Sequence, residues 1–87
     1  MYVILVYDMN VKRVGKMLKL CRRYLNWVQN SVFEGEISEV KLKELLHQAR
    51  KQMNEEEDSI ILFKNRDLKF MEKEIVGREK ASTDNFL

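Results

Sequence analysis

The chain is poor in the residue types that most catalytic and metal sites require. Its 87 residues include one cysteine, one histidine, three glycines and no proline. A single cysteine cannot form an internal disulfide, and with one histidine it cannot make a structural zinc site within one chain. His47 falls off the apolar stripe of its predicted helix and is expected on the surface, so a histidine-based triad is not expected. Three scattered glycines do not form a phosphate-binding loop.

Long apolar runs are also absent. No run approaches the roughly 20 residues that a bilayer span needs. Residues 2–7 are too short for a span and lack the basic start of a signal peptide. We therefore expect no contact with a membrane and, given the single cysteine, a cytoplasmic location. Hydrophobic residues make up 45% and charged residues 34% of the chain, which favours one globular domain.

The apolar pattern predicts an order of strands and helices. Residues 2–7 are apolar and rich in Val, Ile and Tyr, which predicts a central strand buried on both faces. Apolar positions at three- and four-residue steps predict a helix from residue 11 to about 26, capped by Asp8 or Asn10. The later pattern predicts strands on both sides of a turn near residue 30, the second at 31–37, a helix from the cap Ser38 to about 54, a strand at 59–63, a turn at 65–67 and a short strand at 73–76.

This order is β-α-β-β-α-β with one extra short C-terminal strand. It predicts an α+β, ferredoxin-like fold, in which two helices pack on one face of an antiparallel sheet. The predicted domain covers residues 1–77, and residues 78–87 form a polar C-terminal tail. Gly15 indicates close packing or close approach of a ligand, Gly35 indicates a bulge, and residues 55–58 are expected to form a solvated acidic loop.

Asp8 is the first candidate functional residue, because a strongly apolar strand stops at its carboxylate. One interpretation is that Asp8 caps the following helix. The other is that it binds magnesium, which commonly uses one or two protein carboxylates together with water and substrate phosphates. One aspartate per chain supplies few protein ligands for such a site, whereas two copies of Asp8 that meet at a dimer axis would supply enough.

The first helix is the second candidate, because its charge has a single sign. Residues 12–23 carry six cations and no acid. Unpaired positive charge of this kind is typical of a surface that contacts nucleic-acid phosphates, although many charged helix faces are only solvated. No base-reading motif is present, so the contacts are expected with the backbone. The predicted contacts are Lys12, Arg13, Lys16, Lys19, Arg22 and Arg23.

Two segments resemble a known family. They are Tyr7-Asp8 at the end of the first strand and the run Gln-x-Ser-Val-Phe-Glu-Gly at residues 29–35. The chain resembles the small CRISPR-associated endoribonuclease family, the non-integrase subunit of the spacer-acquisition complex. The resemblance covers nearly the whole chain, including the basic helix and the apolar strand near residue 60. The second segment is quite specific, whereas a strand ending in aspartate is not.

The resemblance implies a ferredoxin-like homodimer in which the strand at residues 73–76 lies against the partner's sheet. Asp8 of each subunit would face the other across the dimer axis, with one magnesium between them. Members are described as metal-dependent endonucleases that cut single-stranded RNA or double-stranded DNA. They also bridge two integrase dimers and hold the DNA to be inserted.

One position departs from the family pattern. Relatives often carry an arginine two residues before the Gln of the second segment, where this chain has Trp27. Phosphate binding would then depend on Arg13, Arg22 or Arg23. The resemblance also places Ser31 near the metal region and Phe33 close to the substrate cleft, with Tyr7 beside Asp8. The simpler interpretation of Ser31 is a turn hydroxyl. For Tyr7 and Phe33 core packing is the interpretation that we favour.

The sequence therefore predicts a CRISPR adaptation protein, with two functions to separate. One is magnesium-assisted phosphodiester hydrolysis through Asp8. The other is a dimeric scaffold that binds duplex DNA and a CRISPR integrase subunit, for which Asp8 is not needed. The alternative is a ribonuclease toxin of the same fold, which genomic neighbours would distinguish.

Overall fold

A computed structural model describes residues 1–67 and 70–78 of the chain. Of the predicted tail at residues 78–87, all but Arg78 lies outside the described residues. The elements are β1 (Tyr2–Asp8), α1 (Val11–Arg22), β2 (Asn26–Gln29), β3 (Val32–Glu36), α2 (Glu39–Gln52), β4 (Ser59–Asp67) and β5 (Phe70–Gly77). None of the helices in this part of the chain is long and apolar enough to cross a membrane.

The strands form one sheet in the order β2-β3-β1-β4-β5, and every neighbouring pair is antiparallel. The strand β1 is central, between β3 and β4. This confirms the α+β, ferredoxin-like prediction, with a fifth strand at the β4 edge. The fifth strand is longer than predicted, because β5 pairs with β4 of the same chain along nearly its whole length. Residues 73–76 therefore pair with their own sheet along one edge of β5, and the expected packing against a partner's sheet stays a prediction.

Side-chain caps define the start of both helices. The Asn10 side chain accepts a hydrogen bond from the Lys12 backbone N–H at 3.0 Å, and Ser38 accepts one from Lys41 at 3.1 Å. Since Asn10 is the cap of α1, Asp8 is not. The helix α1 ends at Arg22, about one turn earlier than predicted, because the residues from Asn26 onward pair with β3.

Two local predictions for the strands are wrong. Residues 65–67 are not a turn but extend β4, since the β4–β5 pairing continues to Asp67. Gly35 is not a bulge, because it pairs regularly with Val3. The register shift lies on the facing strand, between Trp27 and Gln29. The turn near residue 30 is confirmed, and Asn30 adopts a φ of 45°, which asparagine tolerates better than most residues.

The core lies between the helices and one face of the sheet. Along β1, Val3, Leu5 and Tyr7 are buried, whereas Ile4 and Val6 on the opposite face are only partly buried. The prediction that β1 is buried on both faces therefore holds for the face that packs against the helices. The other face is only partly buried. The helices contribute the other large part of the core: Met17, Leu20, Cys21, Leu42, Leu45, Leu46 and Ala49. One face of the sheet thus remains uncovered by either helix.

Candidate nucleic-acid and metal site

Asp8 lies exposed at the end of β1, beside an open cavity of about 310 Å³. The β2–β3 turn forms one wall, because the Tyr7 backbone N–H donates a hydrogen bond to the Ser31 carbonyl at 3.2 Å. Side-chain alternation along β1 places Asp8 on the same face as Val6, which is the face that the helices leave uncovered. The cavity is lined by Tyr7, Asp8, Met9, Val14, Asn30 and Ser31.

The aromatic residues predicted for the cleft have different positions. Tyr7 is 4% exposed and stacks on Phe33, with ring centroids 6.0 Å apart and planes at 25°. Burial raises the pKa of Tyr7, so its phenol stays neutral near pH 7. Phe33 is fully buried in the core, which agrees with the core-packing interpretation, and its position close to a substrate cleft stays a prediction. Its position on β3 opposite Leu5 directs it under the helices, and it does not line the cavity.

A partly buried ion pair between Arg13 and Asp58 holds the start of α1 against the start of β4. Asp58 has no exposed surface, and its carboxylate accepts hydrogen bonds from the backbone N–H groups of Asn10 at 2.9 Å and Asn54 at 2.8 Å. The Arg13 guanidinium donates to the same carboxylate through Nε at 2.5 Å and Nη2 at 3.2 Å, and also contacts Glu57. Burial alone would raise the pKa of Asp58, but Arg13 and the two backbone donors outweigh it and lower that pKa to about 2.

This ion pair changes two predictions. The segment at residues 55–58 is not wholly a solvated acidic loop, because Asp58 is buried. Arg13 is separated from the other cations of α1, since its guanidinium contacts Asp58 and Glu57. Sequence reasoning missed this pair, although one signal was present: a cation in the first turn of a helix opposes the helix dipole and indicates a nearby acid.

The other five predicted cations form the basic face of α1: Lys12, Lys16, Lys19, Arg22 and Arg23. All five side chains are exposed. Within residues 1–67 and 70–78, none of them makes a direct ion pair with a carboxylate. Three of them, Lys16, Lys19 and Arg23, line a second open cavity of about 200 Å³. Apart from Arg13, the structure thus keeps the predicted cations together on the surface.

Two other polar candidates do not join the Asp8 site. Cys21 is fully buried in the core, and burial raises the pKa of its thiol to about 12, so it is not a nucleophile at neutral pH. His47 is exposed, as expected, and lines a cavity beside α2.

The carboxylate of Asp8 fits a magnesium site only if two chains contribute one Asp8 each. In the part of the chain that the structure describes, no group of three or more histidine, cysteine or acidic side chains could hold a metal ion. Magnesium needs only one or two protein carboxylates, because it retains several waters. One chain supplies one exposed carboxylate here, and two chains would supply a pair. The oxygen of Asp8 is of the hard type that magnesium prefers.

Comparison with known proteins identifies the family. The model of the family described as CRISPR associated protein Cas2 matches residues 1–73. The protein of Dictyoglomus turgidum named CRISPR-associated endoribonuclease Cas2 is 47% identical over 87 residues, covering 100% of both chains. The protein of the same name from Thermotoga maritima is 46% identical, covering 100% of this chain and 99% of its own.

Solved structures agree. A crystal structure of Cas2 superposes with a TM-score of 0.70 at 45% identity, covering 94% of this chain and 92% of the other. The structure of Streptococcus pyogenes Cas2 gives a TM-score of 0.69 at 32% identity, covering 75% of this chain and 86% of the other. With a ferredoxin-like sheet, a first strand that ends at an exposed aspartate and a family match over most of its length, this chain belongs to the CRISPR-associated Cas2 family.

Proposed function

We propose that this chain works in CRISPR adaptation as a homodimeric, magnesium-dependent endonuclease that hydrolyses phosphodiester bonds. The relatives named endoribonuclease support the reaction class. The observation that carries the proposal is the position of Asp8, exposed at the end of β1 beside an open cavity and on the uncovered face of the sheet. Single-stranded RNA and double-stranded DNA are both candidate substrates, and the site of action is the cytoplasm.

The sheet face that neither helix covers supports the dimer. An apolar row crosses four strands in register, with Val32, Val6, Ile61 and Ile75 side by side. Each of these side chains keeps part of its surface exposed. Packing such a row against a second copy would remove apolar surface from water, which is favourable by about 25 cal/mol per Å². Because Asp8 belongs to the same face, this packing would also bring the two Asp8 carboxylates to one interface.

The two Asp8 carboxylates would hold the magnesium ion. When bound, the ion would supply charge stabilisation at the phosphate and lower the pKa of a coordinated water. The protein itself supplies orientation: the β2–β3 turn with Ser31 forms a wall beside Asp8, and cations of α1 attract the phosphate backbone. No histidine lies in the cavity that contains Asp8, so general-base assistance is weak and turnover is expected to be slow.

A scaffold role is the second candidate, favoured by the single-signed basic face of α1. Five exposed cations without direct carboxylate partners in the described chain suit the backbone of duplex DNA. In this role the dimer would hold DNA for a CRISPR integrase subunit, and Asp8 would not be required. Cleavage and scaffolding use different residues, so they can be tested separately.

The test of the nuclease proposal compares unaltered protein with Asp8→Asn. We expect cleavage of single-stranded RNA or duplex DNA in magnesium, none with chelator, and loss of cleavage in the variant at unchanged dimer mass. Val6→Lys should yield monomer and lose cleavage, whereas Val40→Lys, at a valine 74% exposed on α2, should change neither. Cleavage that persists in Asp8→Asn would show that Asp8 is not the catalytic residue.

The test of the scaffold proposal reverses Lys16, Lys19 and Arg23 to glutamate. Duplex binding should weaken, and the slope of log affinity against log salt should fall by about 1 for each phosphate that the variant no longer neutralises. Reversing Lys43 and Arg50 on α2 is the control, since both are exposed and line a separate cavity that includes none of the basic-face residues. Unchanged binding by the triple variant would remove α1 from the DNA interface.

A further inference from the structure

Trp27 is the one tryptophan of the chain, and its side chain is 51% exposed. It lies on β2, an edge strand whose four residues are all exposed. Large aromatic side chains normally contribute to a core, so a half-exposed indole on an edge strand indicates a binding role. No part of the proposed cleavage reaction uses it.

The indole is held in a fixed position. Its Nε1–H donates a hydrogen bond to the Asn30 carbonyl at 2.9 Å, and the extra residue between Trp27 and Gln29 shapes the strand around it. The Arg22 guanidinium carbon lies 6.0 Å from the ring centroid, within the range of a cation–π contact. A rigid aromatic surface with an adjacent cation is therefore present at the end of α1.

The same hydrogen bond connects Trp27 to the Asp8 cavity. Asn30, whose carbonyl anchors the indole, lines that cavity together with Asp8 and Ser31. Trp27 is in register with Phe33, on the helix side of the sheet, so a nucleic-acid strand with one phosphate at Asp8 would round the β2–β3 turn to reach the indole. The turn then lies between a surface for a base and a site for a phosphate.

We propose that Trp27 and Arg22 form a stacking site for an unpaired base of single-stranded nucleic acid. Bases stack on exposed aromatic rings without regard to sequence, and a neighbouring arginine adds attraction for the phosphate. A duplex hides its bases within its own stack, so the site selects single strands. This inference rests on the proposed function for the course of the strand, but base stacking on Trp27 requires neither metal nor cleavage.

The fluorescence of this single tryptophan tests the proposal directly. A single-stranded 12-nucleotide oligothymidine is titrated into the dimer in chelator, and binding is followed in parallel by anisotropy of a labelled copy. We expect tryptophan emission to be quenched along the same binding curve. A duplex of equal length should bind without comparable quenching. Saturating single-strand binding with unchanged emission, or no single-strand binding at all, would overturn the proposal.

Variants separate stacking from a structural role. Trp27→Ala should weaken single-strand binding by roughly 5- to 150-fold, the range for loss of one stacked base, while Trp27→Phe should retain most of it. Duplex binding should be unchanged in both. Val28→Ala is the matched control, because Val28 is the next residue on β2 and is 48% exposed. Equal loss of single-strand and duplex binding in Trp27→Ala would contradict the stacking role.

The outcome is independent of the cleavage test. If Asp8→Asn still cleaves, the proposed catalytic role fails, yet quenching by single strands in chelator still supports the Trp27 site. If quenching is absent while Asp8→Asn loses cleavage, the nuclease proposal stands and the stacking site does not.

Discussion

Two aspartates at the same end of the sheet have opposite environments. Asp8 ends β1, and its register partner on β4 is Ser59, the residue that follows Asp58. Asp8 is exposed beside an open cavity, whereas Asp58 has no exposed surface and accepts four hydrogen bonds. A buried, fully bonded carboxylate can order the chain around it, and an exposed carboxylate at a strand end can bind a ligand. The comparison therefore assigns a structural role to Asp58 and agrees with the metal role proposed for Asp8.

The buried aspartate also determines the path of the chain next to the exposed one. Asn10 donates its backbone N–H to Asp58 and caps α1 through its side chain. The two residues that follow Asp8 are thus held between β1 and a fixed helix start. Asp58 positions the Asp8 loop without reaching the cavity itself.

The largest change in stability is expected from Asp58→Asn. The substitution removes the charge that Arg13 binds, and it places a side-chain NH2 group next to the backbone N–H group of Asn10 or Asn54, which then lacks an acceptor. Because Arg13 is partly exposed and retains Glu57, we expect a loss of about 2–3 kcal/mol of unfolding free energy, less than the roughly 3–5 kcal/mol for a fully buried pair. Chemical denaturation at fixed protein concentration measures it. Glu56→Gln is the control, because Glu56 is an exposed acid of the same segment. Both Glu56→Gln and Asp8→Asn should change the free energy of unfolding by less than about 0.5 kcal/mol. Equal midpoints for Asp58→Asn and unaltered protein would contradict the structural assignment.

Acid should remove the contribution of Asp58 in a defined window. Its pKa is about 2 when folded, against an ordinary value of 3.8. The folded state therefore gains stability above pH 4 and loses it as pH falls toward 2, by roughly 2–3 kcal/mol in total. The free energy of unfolding, measured from pH 6 to pH 2, should show this loss in unaltered protein and a smaller one in Asp58→Asn. Parallel pH profiles for the two proteins would show that another group titrates in this window.

The smallest effect is expected at Gly15, which lies on α1 between Arg13 and the exposed cations. A Cβ added there would meet no atom within 4 Å, so close packing is not the reason for this glycine. Gly15→Ala should stabilise the helix by about 0.5–1 kcal/mol. If nucleic acid approaches α1 closely at this point, the same variant should bind duplex DNA more weakly. If Gly15→Ala is more stable and binds duplex DNA with unchanged affinity, Gly15 has no role in DNA binding.

The sequence predicted what depends on local pattern. Apolar alternation in β1, the helical stripes and the caps Asn10 and Ser38 are short-range signals, and together they were sufficient for the topology. The apolar strand that stops at Asp8 made it a candidate, and the family resemblance then supported it. The exposure of Asp8 and its cavity with Ser31 agree with a site at that position, while its metal role stays a prediction.

The errors involve contacts between residues far apart in the chain. Nothing local distinguishes Asp58 from the acids at residues 55–57, because its burial depends on Arg13, 45 residues away. The early end of α1 depends on pairing between β2 and β3. Trp27 was noticed only as a departure from the family pattern, since its anchor on Asn30 requires the turn geometry.

The metal stoichiometry of the proposed dimer tests the central claim most directly. Manganese, which substitutes for magnesium in many oxygen-ligand sites and is visible by electron paramagnetic resonance, would be titrated into unaltered and Asp8→Asn protein of equal dimer mass. The account predicts one tightly bound ion per two chains in the unaltered protein and none in the variant. One ion per chain, or binding that survives the loss of the Asp8 carboxylate, would contradict it.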